Sequence, residues 1–127
     1  MKLYRVILPV LEIKLAVDFY RYLFKSEGTR VSEGRHYFNL GGTILVIYDP
    51  KADGDDDMPH WKPHFNQYIY VSVANLEGIF HIIQRQQTIT GLTEIEVMPW
   101  GERLFYFNDP WGNPMCFVDE ATVFKGF

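Results

Sequence analysis

Residues 99–120 read PWGERLFYFNDPWGNPMCFVDE, a stretch that carries a complete β-hairpin. An aromatic strand (104–107) runs into the turn Asn108-Asp109-Pro110-Trp111-Gly112-Asn113, and a second strand (114–119) leaves it. Pro110 holds φ near the value a turn requires, and Gly112 is free to take φ > 0. Asn113, standing before Pro114, is pushed back to an extended conformation. Two short apolar runs on either side of a Gly/Pro/Asn turn form a hairpin. A weaker copy of the same layout lies in the first half of the chain, so this hairpin closes the second of two similar units.

Outward from that hairpin, the first half starts with a strand over 3–8, stopped by Pro9. A helix follows over 12–24, with Leu11, Leu15, Phe19 and Leu23 expected as its apolar stripe and Lys14, Asp18, Arg21 and Lys25 opposite. Gly28 is the expected left-handed cap. Strands over 29–32, 37–40 and 43–48 come next, separated by Glu33-Gly34 and Gly41-Gly42. Residues 49–63 read as a linker, with three prolines and the acidic run Asp53-Gly54-Asp55-Asp56-Asp57. The order then repeats: a strand over 66–73, a helix capped by Asn75 with Leu76, Ile79, Phe80 and Ile83 inward, and strands over 94–98, 103–107 and 114–119. Matching strands lie about 63 positions apart, an internal repeat. One β-α-β-β-β unit leaves a sheet face uncovered, and pairing two units covers it.

Composition narrows the function classes. A chain of 127 residues suits one domain, with unit 1 over about 1–50, the linker over 51–63 and unit 2 over about 64–127. It would bury roughly two thirds of its unfolded surface. The 17% aromatic content must fill a core or line a site. A net charge of −4 argues against a nucleic-acid surface. The single cysteine excludes an internal disulfide and fits a reducing compartment. The opening apolar run is short and broken by Arg5 and Pro9, unlike a signal peptide, and no run reaches the length of a membrane span. The expected location is the cytoplasm.

The chain resembles the vicinal oxygen chelate superfamily, the glyoxalase/bleomycin-resistance/dioxygenase fold, over nearly its whole length. The resemblance rests on AVDFYRYLF in the first helix, on PWGER and FNDPWGN near the C-terminus, and on the early LPVLEI. Within the superfamily it is nearest to bleomycin-resistance-type proteins. It implies an α+β fold in which two tandem β-α-β-β-β units form a curved mixed sheet around a cleft. It also implies two-fold dimers, so a homodimer is expected, with units pairing within or between chains.

Superfamily enzymes hold a divalent metal with one His, Glu or Gln from each of four strands. Carried onto this chain, those positions fall on Arg5, on or next to Val46, on Tyr68 and on Cys116. Arg has no lone pair for a cation, Val has no donor, neutral Tyr is a poor ligand, and Cys116 alone would be under-coordinated. The expectation is therefore no metal and no cofactor, and with them no Lewis-acid chemistry. His60 and His64 have a helical spacing but flank Trp61 and Pro63, and Asp55 to Asp57 lack the alternation of a calcium loop. These residues read as a solvated linker. His36 and His81 read as a turn residue and an exposed helix residue.

Strand alternation then selects a face. With the superseded ligand positions toward the cleft, Arg5, Ile7, Ile44, Val46, Tyr48, Tyr68, Tyr70, Ser72, Cys116 and Val118 line it, and their apolar neighbours face the helices. Arg5 in an apolar strand calls for a counter-charge, either Glu102 or a ligand carboxylate. Trp100 stands where the resemblance places a rim aromatic, with Trp61 and Phe38 as looser ligand-binding candidates; flat rings and cations favour such surfaces. Tyr68 and Tyr70 serve equally well as core tyrosines, and Cys116 reads as an inert buried thiol. Three readings follow. One is a metal-free protein binding an aromatic, amphipathic or cationic small molecule, aided by the acidic loop. The second is a lyase, isomerase or dioxygenase-type enzyme with a non-standard or absent metal, using Glu102, Tyr68 or His36 for proton transfer. The third is a structural member whose cleft its own side chains fill.

Overall fold

The computed structural model describes residues 1–55 and 61–126, and Asp56, Asp57 and His60 of the acidic loop and histidine pair lie outside the described residues. The chain divides into two compact units, Met1–Pro63 and His64–Phe127. Unit 1 holds β1 (Arg5–Pro9), α1 (Ile13–Phe24), β2 (Thr29–Ser32), β3 (Arg35–Leu40) and β4 (Thr43–Tyr48). Unit 2 holds β5 (Ile69–Val73), α2 (Leu76–Gln84), β6 (Glu96–Val97), β7 (Arg103–Asn108) and β8 (Pro114–Asp119), then a short 3-10 turn, Glu120–Thr122. Two tandem β-α-β-β-β units in an α+β fold are therefore present, each with a four-stranded mixed sheet. The strand orders are β1-β4-β3-β2 and β5-β8-β7-β6. In each, the first strand runs parallel to the last, and the others are antiparallel.

The turn after β7 forms as its residues dictate. The Asp109 carboxylate accepts from the Trp111 and Asn113 backbone N–H groups at 2.9 and 2.7 Å and from the Asn113 side-chain amide at 2.8 Å. Gly112 takes φ 90°. The turn is thus closed by a buried carboxylate that satisfies three donors, a stronger device than turn propensity alone. Below it, Phe105, Phe107 and Phe117 are almost fully buried, with Phe107 and Phe117 stacked at 5.9 Å. Phe80 of α2 meets Phe105 edge-on at 5.2 Å, which seats the helix on the sheet. Each such ring contributes about 1.5–3 kcal/mol by leaving water.

Four expectations need correcting. The buried stripe of α1 is Ala16, Val17, Tyr20 and Leu23, while Leu11 and Leu15 are exposed. A strict four-residue step overshoots the 3.6-residue turn by about 40° each time, so Leu11 and Leu23 cannot share one face. The left-handed cap is Lys25, at φ 50°, and Gly28 serves a different need. A Cβ at Gly28 would lie 2.7 Å from His36 Nε2, so glycine there admits the imidazole. Nor is His36 a turn residue, since it lies in β3 and is buried against Phe38.

The described part of the supposed linker is ordered against unit 1. Asp49 is buried, accepts from the Ile13 N–H at 3.2 Å, and so caps α1 from a distant position. Asp53 accepts from the Gly34 N–H at 2.6 Å and the Ser32 hydroxyl at 2.8 Å, and pairs with Arg35. Burial alone would raise the Asp53 carboxyl pKa. The Gly34 and Ser32 donors and the Arg35 charge outweigh burial and hold it below the usual carboxylate range. Local polarity suggested a solvated loop, but it marks a buckle on the β2–β3 hairpin.

Candidate functional site

In unit 2 the register sets Tyr70 of β5 beside Cys116 of β8, and Cys116 beside Tyr106 of β7. The next row is Ser72, Val118 and Leu104. Alternation adds Tyr68 before β5 and Glu102 before β7 to the same face. Three tyrosines gather there. Tyr68 meets Tyr106 edge-on at 5.3 Å, Tyr70 meets Tyr106 edge-on at 6.3 Å, and the Tyr70 and Tyr106 hydroxyls are 3.5 Å apart. Tyr68 and Tyr70 are 41% and 55% exposed, so their rings present open faces rather than core packing. The Tyr70 contact and then burial raise the Tyr106 pKa, which keeps that phenol protonated.

Trp100 is exposed, and its indole N–H donates to Glu102 Oε1 at 2.7 Å. Beneath the tyrosines, Leu104, Cys116 and Val118 form a buried cluster covered by Met98, Tyr106 and Val123. Cys116 is therefore not available to a guest, contrary to its place among the ligand-binding candidates. Burial, followed by the nearby Glu102 charge, pushes its thiol pKa up to about 12. The outcome is a dry floor under an aromatic, hydroxyl-bearing rim.

The corresponding face of unit 1 is spent on itself. Arg5 is exposed, donates to the Tyr37 hydroxyl at 2.6 Å and lies over the Tyr4 ring. The counter-charge expected for a buried Arg5 is not required, because the guanidinium remains in water. Val46 and Tyr48 are 1% and 3% exposed, which removes both as direct guest contacts. Tyr48 lies under Arg35, whose guanidinium carbon is 4.2 Å from the ring centroid, bonds Asp55, and meets Trp61 edge-on at 5.9 Å. Asp53 and Asp55 are thus engaged by Arg35 and Tyr48, and do not form an open acidic lure for a basic guest. Phe38 pairs with Leu45 on the opposite, helix-facing side and is fully buried against Phe24, so it too leaves the list. His36 shares that side, away from any proton transfer on the face of Tyr37 and Val46. His64 accepts from the Asn66 N–H, and His81 is exposed on α2.

The four inherited ligand positions do not fit a divalent ion. Arg5 has no lone pair for a cation, Val46 has no donor, Tyr68 offers only a phenol oxygen, and Cys116 holds its proton. Among the described residues, no three His, Cys, Asp or Glu side chains converge.

What unit 2 gathers by ring contact is Tyr68, Tyr70 and Tyr106, while Trp100 is joined to Glu102. Sequence reasoning missed Tyr106, although stepping by two from Glu102 through Leu104 reaches it. The family model described as Glyoxalase/Bleomycin resistance protein/Dioxygenase superfamily matches residues 2–117, and the chain belongs to that superfamily.

Solved structures similar to it include a glyoxalase/bleomycin resistance protein from Albidiferax ferrireducens, 17% identical with a TM-score of 0.74, covering 92% of this chain and 98% of that one. A superfamily member from Sphaerobacter thermophilus is 21% identical with a TM-score of 0.68, covering 94% and 98%. A lactoylglutathione lyase from Agrobacterium tumefaciens is 15% identical with a TM-score of 0.70, covering 94% of each chain. Comparison with curated proteins gives no match. At such identities the likeness is one of fold. No described helix is long and apolar enough to cross a membrane.

Proposed function

We propose that the protein binds a flat aromatic or amphipathic small molecule on the tyrosine face of unit 2, without a metal, as its resemblance to bleomycin-resistance-type proteins implies. The observation that carries this reading is the ring cluster of Tyr68, Tyr70 and Tyr106, in which the first two rings are exposed and the third is partly buried. Open rings attract flat guests, and the Glu102 carboxylate next to them favours a cationic one. Chemistry is poorly served on the same face. The Tyr106 phenol and the Cys116 thiol both hold their protons, so neither is an activated base or nucleophile. The enzyme reading keeps Glu102 as its general base and draws on the lyase and the glyoxalase-related enzyme among the structural neighbours. Homodimerisation belongs to the same proposal, and exposed Leu15 and Tyr22 on α1, with Leu11 just ahead of the helix, offer it apolar surface.

The test is a thermal-shift screen of the full chain against glycopeptide drugs and flat aromatic cations, with metal analysis of the same sample. A guest at a hundred times its dissociation constant stabilises the fold by about 2.7 kcal/mol. Tyr70→Ala and Trp100→Ala should abolish that stabilisation and leave the unliganded midpoint little changed. Unchanged affinity in both variants removes the tyrosine face from the site. Stoichiometric divalent metal in the purified protein would overturn the metal-free reading.

A further inference from the structure

α1 and the β2–β3 hairpin leave an open pocket of about 360 Å³ on the helix side of the first sheet. It is independent of the tyrosine face, and its volume falls in the range of small-molecule sites. Ile13 and Val17 give it an apolar wall, while Lys14, Arg21, Arg30, Asp18 and Glu33 bring charge to it and Ser32 and His36 complete its polar groups.

Two polar atoms there, Lys14 Nζ and His36 Nδ1, lack partners. Arg30 is paired with Glu33, and Arg21 with Asp18 and Glu27, but Lys14 is exposed and has no hydrogen-bond or ion-pair partner among the described residues. His36 is only 4% exposed, and its Nε2 lies 2.8 Å from the Glu27 carbonyl oxygen. A carbonyl can only accept, so Nε2 carries a proton, and in the neutral imidazole Nδ1 is then an acceptor. Among the described residues no fully buried side-chain nitrogen or oxygen is left without a partner. Nδ1 has none, so it is not fully buried, and His36 borders this pocket. Gly28 makes the arrangement possible, because a Cβ there would press on Nε2 and the edge of the ring.

The pocket therefore offers one uncompensated cation, one acceptor awaiting a donor, and a short apolar wall. We propose that it binds a small hydroxylated monocarboxylate, with the carboxylate on Lys14 and the hydroxyl donating to Nδ1 of His36. A carboxylate alone leaves the imidazole unsatisfied, and a neutral alcohol leaves the ammonium unused. The apolar carbons of the guest lie against Ile13 and Val17.

The experiment uses the full-length, isotope-labelled protein and three matched probes: 3-hydroxybutyrate, butyrate and 1,3-butanediol. In NMR titrations, 3-hydroxybutyrate should shift the Lys14, Val17 and Arg30 amides saturably and move the His36 Nδ1 resonance. Each control lacks one charge-assisted or neutral hydrogen bond and should bind about tenfold more weakly. Lys14→Gln changes an exposed side chain, so the fold should survive while 3-hydroxybutyrate binding weakens by about tenfold. Butyrate binding as tightly as the hydroxy acid would overturn the role of His36. Unchanged affinity in Lys14→Gln, shifts confined to Tyr70 and Tyr106, or no saturable shift at all would overturn the site.

Discussion

Replacing Asp53 with asparagine should unfasten the turn after β4 from the β2–β3 hairpin. The wild-type carboxylate accepts two hydrogen bonds, from Gly34 and Ser32, and pairs with Arg35. Hydrogen bonds to a charged group are worth about 1.5–3 kcal/mol each. The substituted side chain would still accept one of them, but would turn an amide toward the guanidinium. The Arg35 side chain is 35% exposed, so water relieves part of the stranded charge. A loss of about 3 kcal/mol is therefore expected at neutral pH. With an unfolding entropy near 2.1 cal/mol/K per residue, that lowers the midpoint by about 11 °C.

The sign of the pH dependence is fixed by the depressed carboxyl pKa. The stabilisation is fully present above the unfolded-state Asp value near 3.9 and fades as pH falls through the folded-state value. Denaturant melts of wild type and Asp53→Asn should thus differ at neutral pH and converge in acid. Equal stability at pH 7, or a gap that persists unchanged into strong acid, would refute the reasoning.

Further outcomes follow from the two units. In a spectrophotometric phenol titration, Tyr48 and Tyr106 should both ionise above the normal range, and Tyr70→Phe should lower only the second, since the Tyr70 contact is the largest cause of the rise at Tyr106. An unmoved titration would dissolve the pair. Cys116 should resist alkylation in the folded protein and react once denaturant is added, whereas prompt native labelling would show that its cover opens readily. Gly28→Ala should cost about 2–4 kcal/mol, through a strained positive φ and the collision with His36, as read from its unfolding midpoint. Sedimentation at micromolar concentration should show a dimer, and a species of 14.9 kDa would end that part of the proposal.

The sequence made the strand pattern legible because alternation and turn residues act locally. Asp109, Pro110 and Gly112 announce their turn, and Asn75 announces α2, whose Gly78 N–H it caps at 3.0 Å. The helix face was harder, since α1 has apolar residues on more than one side and only tertiary contact selects Ala16, Val17 and Tyr20. The site was legible in part. Tyr68 and Tyr70 followed from a period of two, but Tyr106 required cross-strand register. Phe38 was misplaced for the same reason, because its face depends on pairing with Leu45. Val46 and Cys116 lie on the sheet faces of Tyr37 and Tyr106, yet an inherited position does not reveal what covers it. Asp53 was hidden most deeply, as an acidic loop gives no local sign that Arg35 and Ser32 await it.

The parallel pairing within each unit has a consequence for synthesis. Arg5 must find Ile44, and Tyr70 must find Cys116, so an opening strand gains its ladder only after the closing strand exists. Non-local pairings of this kind delay folding. The earlier unit has all its strands once Tyr48 is made, before any of β5. The later one must keep the unpaired edge of β5 from straying until β8 leaves the ribosome. A nascent chain stalled just before Pro114 would carry one finished half and one exposed, aggregation-prone strand.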